Sequence, residues 1–371
     1  MHILLAPDSF KESLSAKQVA EALKKGFQEA LPDATFDLLP IGDGGEGTMD
    51  TLAGVLNLTK KHTQVTGPFG KPVSMAYYLK DEMAFFEMAS LVGLGSIPAE
   101  KRNPLELETR GIGELILQLV DQGVKTICVG IGGSATNDGG IGMAAGLGVA
   151  FYDDQGHLLR PVGASIGRVD RIDTSAVPKA LQDIELQVLT DVTNPLCGSQ
   201  GATYIFGGQK GLNPLLFPAV DQAMQDFYQL ADARILSMPS AGAGGGMAAG
   251  LVAFAGGQIS SGIEKSLDLI DFDHKVQKAD LVVVGEGRMD LQSLSGKAPV
   301  GVAKRTPEKI PVLAICGSLA EDLPAFPSHH IDAAFSIVNG PCEVADALAH
   351  AERNLISCAR NIGNLLKMKA N

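Results

Sequence analysis

The sequence predicts an α/β protein built from two α/β domains, with largely parallel sheets covered by helices and a cleft between the domains. Three observations carry that expectation. Short apolar runs such as Leu281-Val282-Val283-Val284 do not alternate with polar residues, as expected of strands buried on both faces. Segments of about a dozen residues with helical apolar spacing separate these runs. The chain has 371 residues, more than one core usually organises.

In order along the chain, Ile3-Leu4-Leu5-Ala6 reads as a strand that stops at Pro7-Asp8-Ser9-Phe10-Lys11. Ser15 and Gln18 then form a capping box that opens a helix carrying Val19, Leu23, Phe27 and Ala30 on one face. Phe36-Asp37-Leu38-Leu39-Pro40 repeats the scheme and ends in Asp43-Gly44-Gly45-Glu46-Gly47-Thr48 before a helix over 49–56. From about Thr59 the pattern changes, with 65–73 and 83–88 reading as hairpin strands, and we place a domain crossing there. Asn103-Pro104 can cap a helix carrying Ile112, Leu115, Ile116 and Leu119, which Gly123 ends. A buried strand over 126–129 follows, then a glycine-dense turn over 130–142, a close-packed helix and a second strand over 149–152. The run 184–190 alternates like a strand and delivers Asp191, and a second glycine cluster over 241–250 precedes an apolar helix. Strands over 281–284, 312–316 and 334–338 alternate with helices, and a last helix starts at about Pro341.

Composition removes several functions. A net charge of −12 argues against nucleic-acid or acidic-membrane binding, while leaving room for a local basic pocket. No apolar run reaches membrane-spanning length, and the N-terminus turns polar too early for a signal peptide. Five cysteines are scattered singly, which suggests neither a zinc site nor a disulfide framework. The expectation is a reduced cytoplasmic protein acting on a small molecule, without nucleic-acid or membrane partners and compatible with a homo-oligomer.

Ligands of parallel sheets bind at the carboxyl ends of the strands. Here those ends carry Asp8 and Lys11, Asp43 and Glu46, the turn from Gly132 to Asp138, Asp191, Glu286 and Asp290, and Gly317 with Ser318. Many carboxylates, bare glycine amides and a few cations suit phosphoryl transfer, in which carboxylates hold Mg²⁺ and backbone amides cradle phosphates. A standard P-loop is absent, because Gly70-Lys71 and Gly296-Lys297 lack its spacing and its hydroxyl residue. Gly163-Ala164-Ser165-Ile166-Gly167 matches a hydrolase signature, but no strand leads into it and no helix follows. A dinucleotide reading stays open: Gly130, Gly132 and Ala135 fit that fingerprint, and Asp153 stands where a ribose-binding acid would. The glycines at 139 and 140 weaken the helix such a fold needs there.

Five motifs together resemble the bacterial glycerate kinase family of glycerate and sugar-acid catabolism. They are 6–14 (Ala-Pro-Asp-Ser-Phe-Lys-Glu-Ser-Leu), 43–48, 132–140, 191–196 (Asp-Val-Thr-Asn-Pro-Leu) and 285–290 (Gly-Glu-Gly-Arg-Met-Asp), in the family's order across nearly the whole chain. The resemblance implies an ATP- and Mg²⁺-dependent kinase that converts D-glycerate to 2-phosphoglycerate. Gly42, Gly208 and Gly244 stand where the family usually has Ala, Pro and Ala, which predicts a looser backbone there.

Within these motifs Asp191 and Asp290 are expected to hold Mg²⁺ or act as the base. Lys11 and Arg288 are expected to meet the substrate carboxylate or the transferred phosphate. Asp8, Ser9, Asp43 and Glu46 are the expected substrate contacts, and Asp43 and Glu46 are alternatively metal ligands or helix caps. Gly132, Gly133, Ser134, Asn137, Asp138 and Lys297 are expected to hold nucleotide phosphates. The seven histidines fall outside the motifs and receive no role. We expect 1–58 with 273–371 to form a Rossmann- or flavodoxin-like lobe and 59–272 to form an inserted second α/β lobe.

Overall fold

The computed structural model describes residues 1–42, 45, 47–294 and 296–370. The chain divides into two units: Met1–Asp43, Asp50–Asn57 and Gly262–Asn371 form the first, and Gly44–Met49 and Leu58–Ser261 form the second.

In the first unit, five parallel strands lie in the order Ala333–Ser336, Val312–Cys316, Leu281–Gly285, His2–Pro7, Thr35–Leu38. Counted in order of appearance, this is the doubly wound arrangement 2-1-3-4-5, whose switch point falls between the strands His2–Pro7 and Leu281–Gly285. Their register pairs Ala6 with Val284 and Pro7 with Gly285, so both chains leave the sheet side by side. Leu281–Gly285 is buried along its whole length, which explains its unbroken apolar sequence. On one face Leu23 and Phe27 of helix Ala16–Ala30 and Leu355, Ala359 and Ile362 of helix Ala351–Ala370 join Ile3, Leu5 and Val283 in a single core. The Ser15–Gln18 capping box forms as the sequence predicts. The chain re-enters this unit at Gly262 and not near 273, because helix Gly262–Leu269 packs Ile263 directly on Gly301 of helix Ala298–Arg305.

The second unit has a mixed six-stranded sheet in the order Gln258–Ser260, Glu185–Leu189, Thr126–Gly130, Met83–Glu87, Pro72–Lys80, Thr59–Thr66. The first four are parallel, and the last two join as an antiparallel meander, the change of pattern visible in the sequence from Thr59. Phe86, Ile112, Leu115, Ile127, Val129 and Val188 lie in its core. One expected strand forms away from the main sheet, and two other local expectations fail. Ala150–Tyr152 leaves the sheet and pairs antiparallel with Arg171–Asp173, because the helix before it, Ile141–Gly146, is too short to carry the chain back across the sheet. Asn103 caps only a turn, and the helix begins at Arg110. The last helix is two, Val344–Ala349 and Ala351–Ala370, separated at His350.

Candidate active site

The carboxyl ends of the first unit's strands are laced together by their own backbone. Asp8 N donates to Gly285 O (2.8 Å), Gly317 N to Glu286 O (3.0 Å) and Ser318 N to Gly287 O (3.0 Å). Gly287 lies so close to the opposite loop that a Cβ on it would stand 3.4 Å from Lys11 N. These contacts bring Asp8, Ser9, Lys11, Arg288 and Lys297 to the wall of one cavity of about 730 Å³. Lys11 and Arg288 are exposed, Lys297 is half-buried, and none of the three has a carboxylate within ion-pairing distance among the described residues. Asp8, Glu12 and Glu286 line the same cavity, so its wall carries three cations and three carboxylates in a chain of net charge −12. Asp8 turns inward on its own loop, with Oδ1 accepting from Ser9 N (2.6 Å).

Asp290 sits beside this group as the cap of the short helix Leu291–Leu294. Its Oδ1 accepts from Gln292 N (2.9 Å) and Ser293 N (3.0 Å). Burial by itself would raise the carboxyl's pKa, but the Ser293 amide, the Lys297 charge and the Gln292 amide outweigh it and hold it below the ordinary value. It is therefore an anion at neutral pH, with Oδ2 outside these bonds.

The glycine turn of the second unit has a different character from the phosphate cradle its sequence suggests. Ser134, Asn137 and Asp138 are buried, and their polar atoms serve the interior. Asp138 accepts from Thr109 Oγ1 (2.6 Å) and Gly140 N (3.0 Å), and Asn137 Nδ2 donates to Thr203 Oγ1 (3.0 Å). Burial raises the Asp138 carboxyl against those hydrogen bonds. The glycine density follows from backbone packing on the second glycine cluster: Gly139 N donates to Gly245 O (3.0 Å), and a Cβ on Gly245 would collide with Thr136 O. Gly244 has φ +67°, a region that favours glycine, so its departure from the family's alanine belongs to a formed turn and not to a loose one. Of the turn's predicted ligand-binding residues, only Gly132 and Gly133 reach the surface.

Sequence reasoning missed Lys210, which is buried and holds this turn. Its Nζ donates to Thr136 O (2.7 Å) and Ser134 Oγ (2.9 Å), and burial lowers its pKa to about 7 while the Asp138 charge opposes the fall. A single lysine enclosed by glycines in Gly207-Gly208-Gln209-Lys210-Gly211 was the available signal. Glu87 was missed too. It ends the strand Met83–Glu87 and accepts from Met49 N (2.7 Å) and Gly47 N (3.1 Å), so it anchors the start of helix Thr48–Leu56. One carboxylate inside the apolar run 83–88 was its signature.

Asp191 follows the strand Glu185–Leu189 in the second unit, half-buried, with Oδ1 accepting from Ser261 Oγ (2.7 Å). It and Asp290 belong to different units. Asp43 and Glu46 lie outside the described residues. Among the described residues no three His, Cys, Asp or Glu side chains gather into a metal cage. Mg²⁺ does not demand one, since it is commonly held by one or two carboxylates together with substrate phosphates.

A doubly wound sheet whose switch-point loops bring lysine, arginine and carboxylate side chains to one cavity defines an α/β protein with a candidate small-ligand site. The chain belongs to the glycerate kinase family, whose model matches residues 3–367. It is 56% identical to a glycerate kinase of Neisseria meningitidis over 99% of both chains. It is 41% identical to a glycerate 2-kinase of Escherichia coli over 99% of this chain and 98% of that one. A crystal structure of a proposed glycerate kinase 2 from Salmonella typhimurium LT2 superposes with a TM-score of 0.85 at 41% identity, covering 100% of this chain and 99% of the other.

Proposed function

We propose that this protein is an enzyme of glycerate phosphorylation that transfers the terminal phosphoryl group of ATP to D-glycerate, with 2-phosphoglycerate as product. Family membership and the relatives' activity support a glycerate kinase. The observation that carries the chemical reading is the unpaired set Lys11, Arg288 and Lys297 around one cavity, because phosphoryl transfer is accelerated mainly by positioning and by positive charge on the moving group. Arg288 supplies a planar fork for a phosphate or carboxylate, and Lys11 a mobile point charge.

In this reading Asp191 or Asp290 accepts the proton of the attacking hydroxyl, and Asp8, Ser9, Asp43 and Glu46 orient the acid. Asp191 and Asp290 are the residues that would hold Mg²⁺, which supplies neutralisation of phosphate charge when bound. The buried side chains of Ser134, Asn137 and Asp138 shape the second unit, leaving the Gly132 and Gly133 amides as that turn's contribution to ligand binding.

A dehydrogenase reading loses its ribose-binding acid, since Asp153 Oδ1 accepts from His157 N (2.8 Å) and Gln155 N (3.1 Å) of its own loop. The deciding experiment measures ADP release with D-glycerate, with and without Mg²⁺, beside NAD binding. Mg²⁺-dependent ADP release is expected. Glycerate binding without ADP release under any metal would make the protein a sensor and overturn the proposal. Asp191→Asn is expected to lower kcat at least a hundredfold with the fold intact by circular dichroism. A folded variant within threefold of wild type would remove Asp191 from both roles.

A further inference from the structure

The cavity at the switch point has a second half that a three-carbon acid does not use. Val344, Ala347 and Leu348 of helix Val344–Ala349 line it together with Ala351, the first residue of the next helix, and Ile337 and Val338. Val344 is 74% exposed, an apolar side chain left open to water at the edge of a pocket. Asn354, only 8% exposed, lines the same end, and its Oδ1 accepts from Asn339 Nδ2 (3.1 Å). The cavity therefore combines three cations and three carboxylates with an apolar stripe and a carboxamide.

We propose that this cavity of the first unit is the nucleotide site, with the adenine on the Val344–Leu348–Ala351 stripe and the phosphates among Lys11, Arg288 and Lys297. The inference rests on the kinase reading for the identity of the nucleotide, and on this cavity for its place. Glycerate carries a carboxylate and two hydroxyls and has no flat apolar face to cover the stripe, whereas a nucleoside triphosphate brings both an apolar ring and phosphates for the cations. A volume of about 730 Å³ is in the range of sites that enclose ligands larger than a three-carbon acid. A carboxamide can pair with the adenine edge through one acceptor and one donor, which gives Asn354 a role in base choice. Lys297 is the N-cap of helix Ala298–Arg305, where free amides add to the pull on phosphate oxygens.

Cys342 supplies the test. It is exposed and lines the cavity, whereas Cys128 and Cys316 are buried, and burial pushes the half-buried Cys197 up to about 12 and raises Cys358. Maleimide labelling of Cys342 at neutral pH, read by peptide mass, is followed with the β,γ-imido analogue of ATP, ADP, inorganic tripolyphosphate or D-glycerate. Both nucleotides at saturation are expected to slow labelling at least tenfold, and glycerate less than twofold. Leu348→Asp is expected to weaken ADP at least tenfold while leaving tripolyphosphate within twofold, and Arg288→Ala to weaken both. In steady state, Leu348→Asp raises KM for ATP and leaves KM for glycerate within twofold. Protection by glycerate alone overturns the assignment, as does ADP binding that leaves Cys342 labelling unchanged in an enzyme that turns over glycerate. Absence of ADP release with glycerate overturns the kinase reading instead, and protection of Cys342 by ADP still scores the site independently.

Discussion

Replacing Lys210 by Met removes the one ammonium that holds the glycine turn of the second unit. The wild-type side chain has a pKa of about 7 in the folded protein against 10.5 in the open chain. Between those values the unfolded chain binds a proton that the folded one does not, so stability rises with pH across that window. The full gap converts to on the order of 5 kcal/mol, an upper limit because Thr136 O and Ser134 Oγ both favour the ammonium. Below pH 7 the cost of the buried charge is fully present. Above it the neutral amine still donates to Thr136 O and accepts from the Ser134 hydroxyl. Asp138, whose carboxyl burial raises above 3.8, contributes the opposite slope on the acid side, so the informative range is alkaline. Urea unfolding of wild type and Lys210→Met at pH 7, 8, 9 and 10 (about one-unit steps up to the ordinary lysine value), with hydrogen exchange of peptides over 134–146, measures the difference. Wild type is expected to gain stability relative to the variant as pH rises. Parallel profiles would refute the account of a buried, neutralising lysine.

Two further outcomes follow from packing. Glu87→Ala leaves the Gly47 and Met49 amides without their acceptor, a loss of about 1–3 kcal/mol that lowers the thermal midpoint while the transition stays cooperative, and a raised KM for glycerate is the expected kinetic trace. Gly245→Ala sets a Cβ against Thr136 O at φ +73°. A loss of at least about 2 kcal/mol in urea is expected, and a neutral result would mean the two glycine clusters do not abut.

Much of the site was legible because strand ends announce themselves. An apolar run that stops at Asp8-Ser9-Phe10-Lys11 or at Gly285-Glu286-Gly287-Arg288 states both that a strand ends and what it presents there. Glycine density is ambiguous in the same text. The turn at 130–142 reads as a ligand loop, yet it is the neighbour of the cluster at 241–250, and what their small residues permit is backbone contact between segments a hundred residues apart. Asn103 failed as a helix start for a related reason: its side chain accepts from Leu105 N in a turn, and Glu108 N goes to Pro68 O, so the intervening backbone is held by a distant loop.

The sequence by itself determined the alternation of buried parallel strands and helices, the antiparallel change after Thr59 and the chemistry carried at each strand end, because these depend on local periodicity and residue type. Only the tertiary structure decided which ends meet, which cations stay unpaired and which polar side chains are buried. Strand order and burial are set by contacts between residues far apart in the chain, and local pattern holds no record of them.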